Sequence, residues 1–479
     1  MSNQTGGNQT GGNQTGDNQT GPAVDPDDRD SLARAGLAAL DAGQDRLAAA
    51  RLARALTLGP PTPALLRSLG MALTRLGRLD DAARCHNEAL SLAPDDPATL
   101  TALGDLLQQR DRVDDAEACY RAALQVAPQR ADTLGNLGAA LYRLGRPEEA
   151  IACYRAALRL APDLAELHDN LGRALLLSGQ LAEGWEAHEW RWRTRESARE
   201  AQRFAGPAWT GETLGDRVLL LHAEQGFGDA IQFCRYAPLV GATARVVLEA
   251  PRALVRLFAG LPNVERIVAQ GDALPGFDAH CPLLSLPRAC RTTLATIPRD
   301  IPYLAATPAS VAAWRRRLDG LDGLRVGLAW AGRPTQGADH RRSIALDRLA
   351  PLARVPGVVL VSLQTGAASA QATPPPPGMT IHDWTAALHD FSDTAALIEA
   401  LDLVIAVDSA VAHLAGALGK PVWLLNRFDT CWRWLQQRTD SPWYPSLRQF
   451  RQSRPGDWDT VIAEVAAALL RRAGGGDIS

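Results

Sequence analysis

Lysine is nearly missing from this 479-residue chain: Lys420 is the single one, and arginine supplies the rest of the 50 basic residues. A GC-rich coding sequence accounts for that bias, and no recognition role is drawn from it. A charge excess of either sign is missing too, because 53 acidic residues leave a formal net charge of −3 and a pI near 6.3. Such a balance removes any global electrostatic attraction to nucleic acid or to an anionic membrane. No apolar run approaches the roughly 18 residues that a membrane span needs. The opening MSNQTGGNQT has neither the basic nor the apolar stretch of a secretion signal, so the expected location is the cytoplasm. CxxC pairs are absent, and of the seven cysteines Cys85, Cys119 and Cys153 are evenly spaced (119 − 85 = 34; 153 − 119 = 34). They occupy one equivalent position of a repeat, which argues against disulfides and against a metal cluster.

What the chain has is repetition. Residues 3–21 reiterate Asn-Gln-Thr-Gly-Gly with small variations, a polar tract that cannot bury enough apolar surface to offset its ordering entropy. Residues 1–28 are therefore expected to be disordered, and their Asn-x-Thr sequons to stay idle. From residue 29 a longer period takes over (70 − 36 = 34): Gly36, Gly70, Gly104, Gly138 and Gly172 keep it, as do Pro60, Pro94, Pro128 and Pro162. Ala48, Ala82, Ala116 and Ala150 keep the same step, and so do Ala55, Ala89, Ala123 and Ala157. Two antiparallel helices per unit explain the pattern, with small residues where the helices cross and proline where the second one ends. This resembles the tetratricopeptide repeat, and five units are expected over residues 29–198. The fifth departs from the pattern at Gly184, His188, Arg191 and Glu196. There Trp185, Trp190 and Trp192 either dock onto the region that follows or cap the solenoid.

Residues 199–215, with Phe204-Ala-Gly-Pro-Ala-Trp209, have the composition of a linker. Beyond it short apolar runs alternate with helix-like stretches: Arg217–Leu221, Ala244–Leu248, Leu324–Trp330, Val358–Ser362, Leu403–Ala406, Pro421–Leu425 and the amphipathic segment 459–472. That alternation implies parallel sheets wrapped by helices. The expected architecture is an α-solenoid followed by α/β, with Rossmann-like halves at residues 216–322 and 323–479 and a ligand cleft between them.

Two strand-turn-helix segments could carry chemistry. His222-Ala-Glu-Gln-Gly-Phe-Gly-Asp229 offers Gly226 and Gly228 for close backbone approach and Asp229 at a helix start, where it serves either as a functional carboxylate or as a plain cap. A dinucleotide fingerprint is excluded, because Ile231 stands where its third glycine belongs. Asp408-Ser409-Ala-Val-Ala-His413-Leu-Ala-Gly416 offers unpaired N–H groups, a hydroxyl and an imidazole to a phosphate; the alternative is a capped core helix with a buried histidine. Arg341 and Arg342 either neutralise a diphosphate or are solvated surface charges. Asp457-Trp-Asp459 spells the D-x-D of metal-dependent sugar transferases but opens a helix, so dipole compensation is the better account and no metal is expected.

These segments together carry a resemblance. Gly228-Asp229, with Asp408-Ser409-Ala-Val-Ala-His413-Leu-Ala-Gly416-Ala-Leu-Gly-Lys-Pro421, is similar to the two-Rossmann (GT-B) transferases related to the lipopolysaccharide heptosyltransferases. Asp278–Pro287, Trp432-Arg-Trp434 and Ser441-Pro-Trp-Tyr-Pro445 resemble bacterial tetratricopeptide-linked members, among them flagellin glycosyltransferases. The resemblance implies transfer of a sugar from a nucleotide-sugar co-substrate, without cofactor or metal, to a hydroxyl of a protein acceptor such as flagellin. It implies Asp229 as catalytic base, with Gly226 and Gly228 on the acceptor side. Asp408, Ser409, His413, Arg341, Arg342 and Gln364 fall on the donor side. Relatives often place a lysine where the arginines near 341 stand. The domain order is similar to that of the O-GlcNAc transferases, in which asparagines line the repeat groove; Asn136 and Asn170 (170 − 136 = 34) match that position and are expected to contact the acceptor backbone. Rival readings are a scaffold with a dead transferase fold, and transfer to a lipid-linked glycan.

Overall fold

The computed structural model describes residues 25, 27–194 and 203–475. The glycine-rich tail, and residues 195–202, where the sequence places the junction of repeats and linker, lie outside the described residues. The chain divides into two compact units that meet in sequence between Pro128 and Gln129.

In the first unit three helix pairs follow one another: α1 (Arg29–Asp41) and α2 (Asp45–Thr57), α3 (Pro63–Arg75) and α4 (Leu79–Leu92), α5 (Pro97–Gln109) and α6 (Val113–Val126). Side-chain oxygens of Asp28, Thr62 and Asp96 cap α1, α3 and α5, satisfying amides that have no partner inside the helix. Helices α4 and α6 stop two residues before Pro94 and Pro128, because the residue preceding a proline is driven out of the helical region; Ala93 sits at φ −143°. The periodic alanines Ala48, Ala82 and Ala116 are fully buried where the paired helices cross. Any larger side chain there would overpack the contact at a cost of about 1–3 kcal/mol.

The second unit opens with two more pairs, α7 (Ala131–Arg143) with α8 (Pro147–Leu160) and α9 (Ala165–Leu177) with α10 (Leu181–His188), the last followed by a 3-10 turn, Glu189–Arg193. A Cβ on Gly138 would lie 2.7 Å from the Tyr154 ring, so the periodic glycine is what lets an aromatic of the second helix pack against the first. The same unit contains two parallel sheets. One has the order β3-β2-β1-β4, from β1 (Val218–His222), β2 (Arg245–Ala250), β3 (Arg266–Ala269) and β4 (Ala279–Pro282). The other has the order β10-β9-β8-β5-β6-β7, from β5 (Leu324–Ala329), β6 (Val358–Ser362), β7 (Ile381–His382), β8 (Leu403–Val407), β9 (Val422–Asn426) and β10 (Leu447–Arg451).

Helices α11 (Phe227–Phe233), α12 (Arg252–Phe258), α13 (Pro308–Leu318), α14 (Phe391–Glu399), α15 (Ala410–Ala417) and α16 (Trp458–Ala473) cover these sheets. One continuous core runs from Leu219 and Leu221 of β1 to Val404 and Ala406 of β8, and a second fills the other face of the larger sheet beneath α16.

Two segments behave differently from the sequence expectation. Of the expected linker, Trp209 is buried and its N–H donates to the His280 carbonyl at 2.8 Å, so this part is stitched to the edge strand β4. The segment before α13 touches both halves: Tyr303 N–H donates to the Ala417 carbonyl at 3.0 Å and Ala306 N–H to Glu399 Oε1 at 2.6 Å, while the Tyr303 hydroxyl donates to the Ile231 carbonyl at 2.9 Å.

Candidate functional site

In both sheets the strand order reverses direction at one point: beside β1 in the smaller, where β4 is the neighbour, and between β5 and β8 in the larger. Loops leaving adjacent strands diverge there to opposite faces, which opens a crevice at the carboxyl ends of the strands. Asp229 follows β1, Arg341 and Arg342 follow β5, and Asp408 and Ser409 follow β8. The topology therefore brings the main sequence candidates to the two switch points.

The two switch points face each other through α11 and α15. A Cβ on Gly228 would meet His413 Cδ2 at 2.9 Å and Ala410 Cα at 3.6 Å, so glycine is needed for the helices to approach. That gives Gly228 a packing role between the halves. Gly226 is the N-cap residue of α11, and its N–H donates to Asp229 Oδ2 at 3.1 Å. Asp229 is thus a cap, yet its other oxygen, Oδ1, is held in an ion pair by the Arg433 Nη2 of the opposite half. One carboxylate does both.

Arg433 lies in the short 3-10 turn Trp432–Trp434 after β9, with its guanidinium 4.2 Å from the Trp432 ring centroid and its Nη1 3.0 Å from Cys431 Sγ. Burial works against its charge, but Asp229 first, then Cys431 and Asp408, outweigh it and hold the guanidinium above its ordinary range. Its Nε is buried and has no hydrogen-bond partner among the described residues. Arg427 differs, since its buried Nε makes no hydrogen bond among the described residues but lies 3.5 Å from Asp429 Oδ1 in an ion pair. Arg341 pairs with the same Asp429, and Arg342 donates to the Asp408 carbonyl at 2.9 Å and to Asp339 Oδ1 at 2.9 Å. Arg342 thus reaches the residue before the α15 N-cap, while Arg341 and Arg427 share Asp429 and Arg433 holds Asp229. Neither Arg427 nor Arg433 is assigned to the site from sequence, although the Trp-Arg-Trp motif that contains Arg433 carries part of the resemblance.

At the start of α15 Ser409 has the extended conformation of an N-cap, but its side chain makes no capping bond and its buried Oγ has no partner among the described residues. A buried hydroxyl without a partner is costly in a core and useful where an anion is to be received. His413 is placed otherwise. It is 4% exposed, its Nδ1 lies 3.0 Å from the Tyr444 hydroxyl, and its ring stacks on Trp434 at 4.8 Å. Burial pushes its pKa down to about 4, so the ring is neutral near pH 7. It works as a neutral brace between the α11 contact and the aromatic segment. Arg235, also buried, bonds the Trp443 carbonyl at 2.7 Å and lies 4.7 Å from the Tyr444 ring, which explains why that segment is rich in aromatics.

The remaining candidates are dispersed. Gln364 Oε1 accepts from Trp330 N–H at 2.9 Å and Ala331 N–H at 2.8 Å, so this side chain shapes the loop after β5 and is not turned to the arginine cluster. Asn136 on α7 and Asn170 on α9 are half-buried, and Asn170 Oδ1 accepts from Arg173 at 2.6 Å. Asp457 caps α16 through Thr460 N–H at 3.2 Å, and Asp459 pairs with Arg348 at 2.8 Å, as helix-end carboxylates do.

The three tryptophans of the fifth repeat have separate duties. Trp185 docks: its Nε1 donates to the Thr292 carbonyl at 3.1 Å, and its ring meets Trp432 edge-on at 5.4 Å. Trp190 instead stacks on His168 of α9 at 3.8 Å, and Trp192 lies under Arg191 at 4.9 Å, so these two finish the repeats. The Gly145 carbonyl, between α7 and α8, accepts from Gln436 at 2.7 Å, so the last two repeats touch the loop that carries Arg433.

Fold and site define a class: tetratricopeptide helix pairs followed by two parallel, Rossmann-like sheets, with an acid and several arginines near facing switch points. Comparison with known proteins specifies it further. Residues 61–129, 95–163 and 129–183 match the tetratricopeptide repeat, and residues 386–426 match glycosyltransferase family 9 (heptosyltransferase). The second match contains β8, Asp408, Ser409 and α15, so over this segment the chain is similar to glycosyltransferase family 9, as it is to the tetratricopeptide repeat over residues 61–183. Protein FlbA of Caulobacter vibrioides is 30% identical over 316 residues, which is 61% of this chain and 52% of FlbA; the chain thus spans about half the length of this curated relative. Among solved structures, Pseudomonas aeruginosa pilF is 20% identical over 34% of this chain and 74% of its own, with a TM-score of 0.32. A thermophilic TPR protein of Thermus thermophilus is 21% identical over 36% of this chain and 94% of its own, with a TM-score of 0.33. No helix among the described residues is long and apolar enough to cross a membrane.

Proposed function

We propose that this chain transfers a sugar from a nucleotide-activated donor to a hydroxyl of a protein acceptor held by its repeats. The observation that carries the reading is the meeting of α11 and α15, which brings Asp229, held by Arg433, close to a helix N-terminus whose preceding residue is bonded by Arg342, with Arg341 and Arg427 paired to Asp429. In this reading Asp229 takes the proton from the acceptor hydroxyl as its oxygen bonds to the anomeric carbon, and the electron pair of the breaking C–O bond leaves with the nucleotide phosphate. Charge grows on both oxygens toward the transition state, so a base on one side and fixed positive charge on the other both lower the barrier. The arginines and the α15 amides supply that charge, and the reading assigns no step to a metal or a cofactor. Flagellin is the first acceptor to try. Cells expressing the full chain with a candidate acceptor should yield an acceptor whose intact mass is raised by a sugar, and an unchanged mass across all acceptors tried would count against the reading.

A further inference from the structure

Arg433 is placed between an anion and a site built for one. The anion is Asp229, whose Oδ1 it holds across the interface of the two halves. The site is the region of Ser409, where the Oγ has no partner among the described residues and the first turn of α15 has N–H groups without a partner inside the helix; the Arg433 Nε, equally without a hydrogen bond, is a further donor. A carboxylate oxygen clamped by a guanidinium is a poorer base for a hydroxyl proton while the ion pair lasts. Asp229 Oδ2 is occupied by the Gly226 N–H, so Oδ1 is the oxygen left for chemistry, and it is the one Arg433 holds.

We propose that Arg433 changes partner during the reaction: it holds Asp229 until a donor phosphate reaches the start of α15, then turns to that phosphate and releases Asp229 Oδ1 to the acceptor hydroxyl. The inference rests on the nucleotide-sugar reading above. It makes the base available only when the donor is seated, which orders the substrates. Arg433 can serve both anions because it springs from a short turn between Trp432 and Trp434, both buried and fixed by their neighbours, while its own charged end faces the junction.

Competition for one guanidinium has a signature that a structural role lacks. Removing Asp229 should free Arg433 and tighten nucleotide binding, whereas most losses at a site weaken it. The test is calorimetric titration of the full chain with UDP, GDP, ADP and CMP, on wild type, Asp229→Asn, Arg433→Gln, Arg433→Lys and the double variant Asp229→Asn with Arg433→Gln. Asp229→Asn should bind the recognised nucleotide several-fold more tightly than wild type. Arg433→Gln should bind it about 10-fold or more weakly, the loss of a charge-assisted hydrogen bond. Arg433→Lys should fall between, and in the Arg433→Gln background the Asp229 change should have no effect. If wild type binds a nucleotide and Asp229→Asn leaves its affinity unchanged or lower, the exchange is wrong while the donor reading stands. If no nucleotide binds any of the five proteins, both are wrong. Should Arg433→Gln fail to fold, the comparison of wild type with Asp229→Asn and Arg433→Lys decides the matter alone.

Discussion

Arg191 of the 3-10 turn after the last repeat donates to Glu224 Oε1 at 3.0 Å, and both side chains are almost fully buried. Glu224 lies in the loop from β1 to α11, where it also accepts from Leu284 N–H at 3.1 Å. Arg191 reaches Ser285 Oγ at 2.8 Å as well. The loop that leads into α11 and Asp229 is therefore tied to the repeats by a buried polar network, which has consequences for stability.

Arg191→Met should destabilise the protein by about 3–5 kcal/mol, because it strands a buried carboxylate, and Arg191→Lys should restore part of that. Even with Arg191 beside it, burial pushes the Glu224 carboxyl up to about 7. A carboxyl whose pKa is higher folded than unfolded removes stability as pH rises from its ordinary value toward 7, since the folded state then gives up a proton it prefers to keep. Denaturant unfolding of wild type and Glu224→Gln between about pH 5 and 8 checks this: the glutamine variant should gain relative to wild type as pH rises.

A fragment beginning near residue 216 should fold poorly. It lacks Arg191 for Glu224, Trp185 for Thr292 and Trp432, and the Gly145 carbonyl for Gln436. A fragment beginning at Gln129 keeps all of these and should melt in one cooperative transition. Circular dichroism melts of the two fragments decide it, and equal behaviour would remove the repeats from the stability of the transferase region.

Ser409 and His413 should separate cleanly, although both belong to one motif. Ser409→Ala removes a hydroxyl that bonds to nothing among the described residues, so the melting temperature should hold while nucleotide affinity falls several-fold. His413→Ala opens a cavity between Tyr444, Trp434 and Gly228 and should cost about 3 kcal/mol. With its pKa lowered from 6.5 to about 4 by burial, His413 contributes stability that is complete above about pH 6.5 and lost as pH falls toward 4. His413→Gln should therefore lose less on acidification than wild type; His86 and His222, also depressed by burial, keep the remaining acid sensitivity.

On the acceptor side, Asn136→Ala combined with Asn170→Ala should lower transfer to the protein substrate several-fold to roughly a hundred-fold while nucleotide binding stays normal, since each hydrogen bond is worth about 0.5–1.5 kcal/mol. Loss of both functions together would mean that the pair supports folding instead.

The sequence shows the repeats plainly because each unit solves the same packing problem with the same residues. The central strands β1, β2, β5, β6, β8 and β9 are legible as apolar runs, being covered on both faces. Strands β3, β4, β7 and β10 are not, and all four end a strand order, with a single strand neighbour each; Leu447-Arg-Gln-Phe-Arg451 has little in common with a core strand. Strand order is not written in local pattern at all, so the switch points that unite Asp229 with Ser409 emerge only from the fold. Arg433 shows a further limit. Its function depends on a partner in the other half of the chain, and no spacing announces that.

The base assignment is the claim on which the account turns, and one comparison tests it most directly: sugar transfer measured by intact mass of the acceptor, with wild type against Asp229→Asn in the full chain. The account predicts a drop in turnover of about 10²–10⁴ in the variant, the usual contribution of a positioned general base, with the fold intact and nucleotide still bound. Equal modification of the acceptor by both proteins would contradict it.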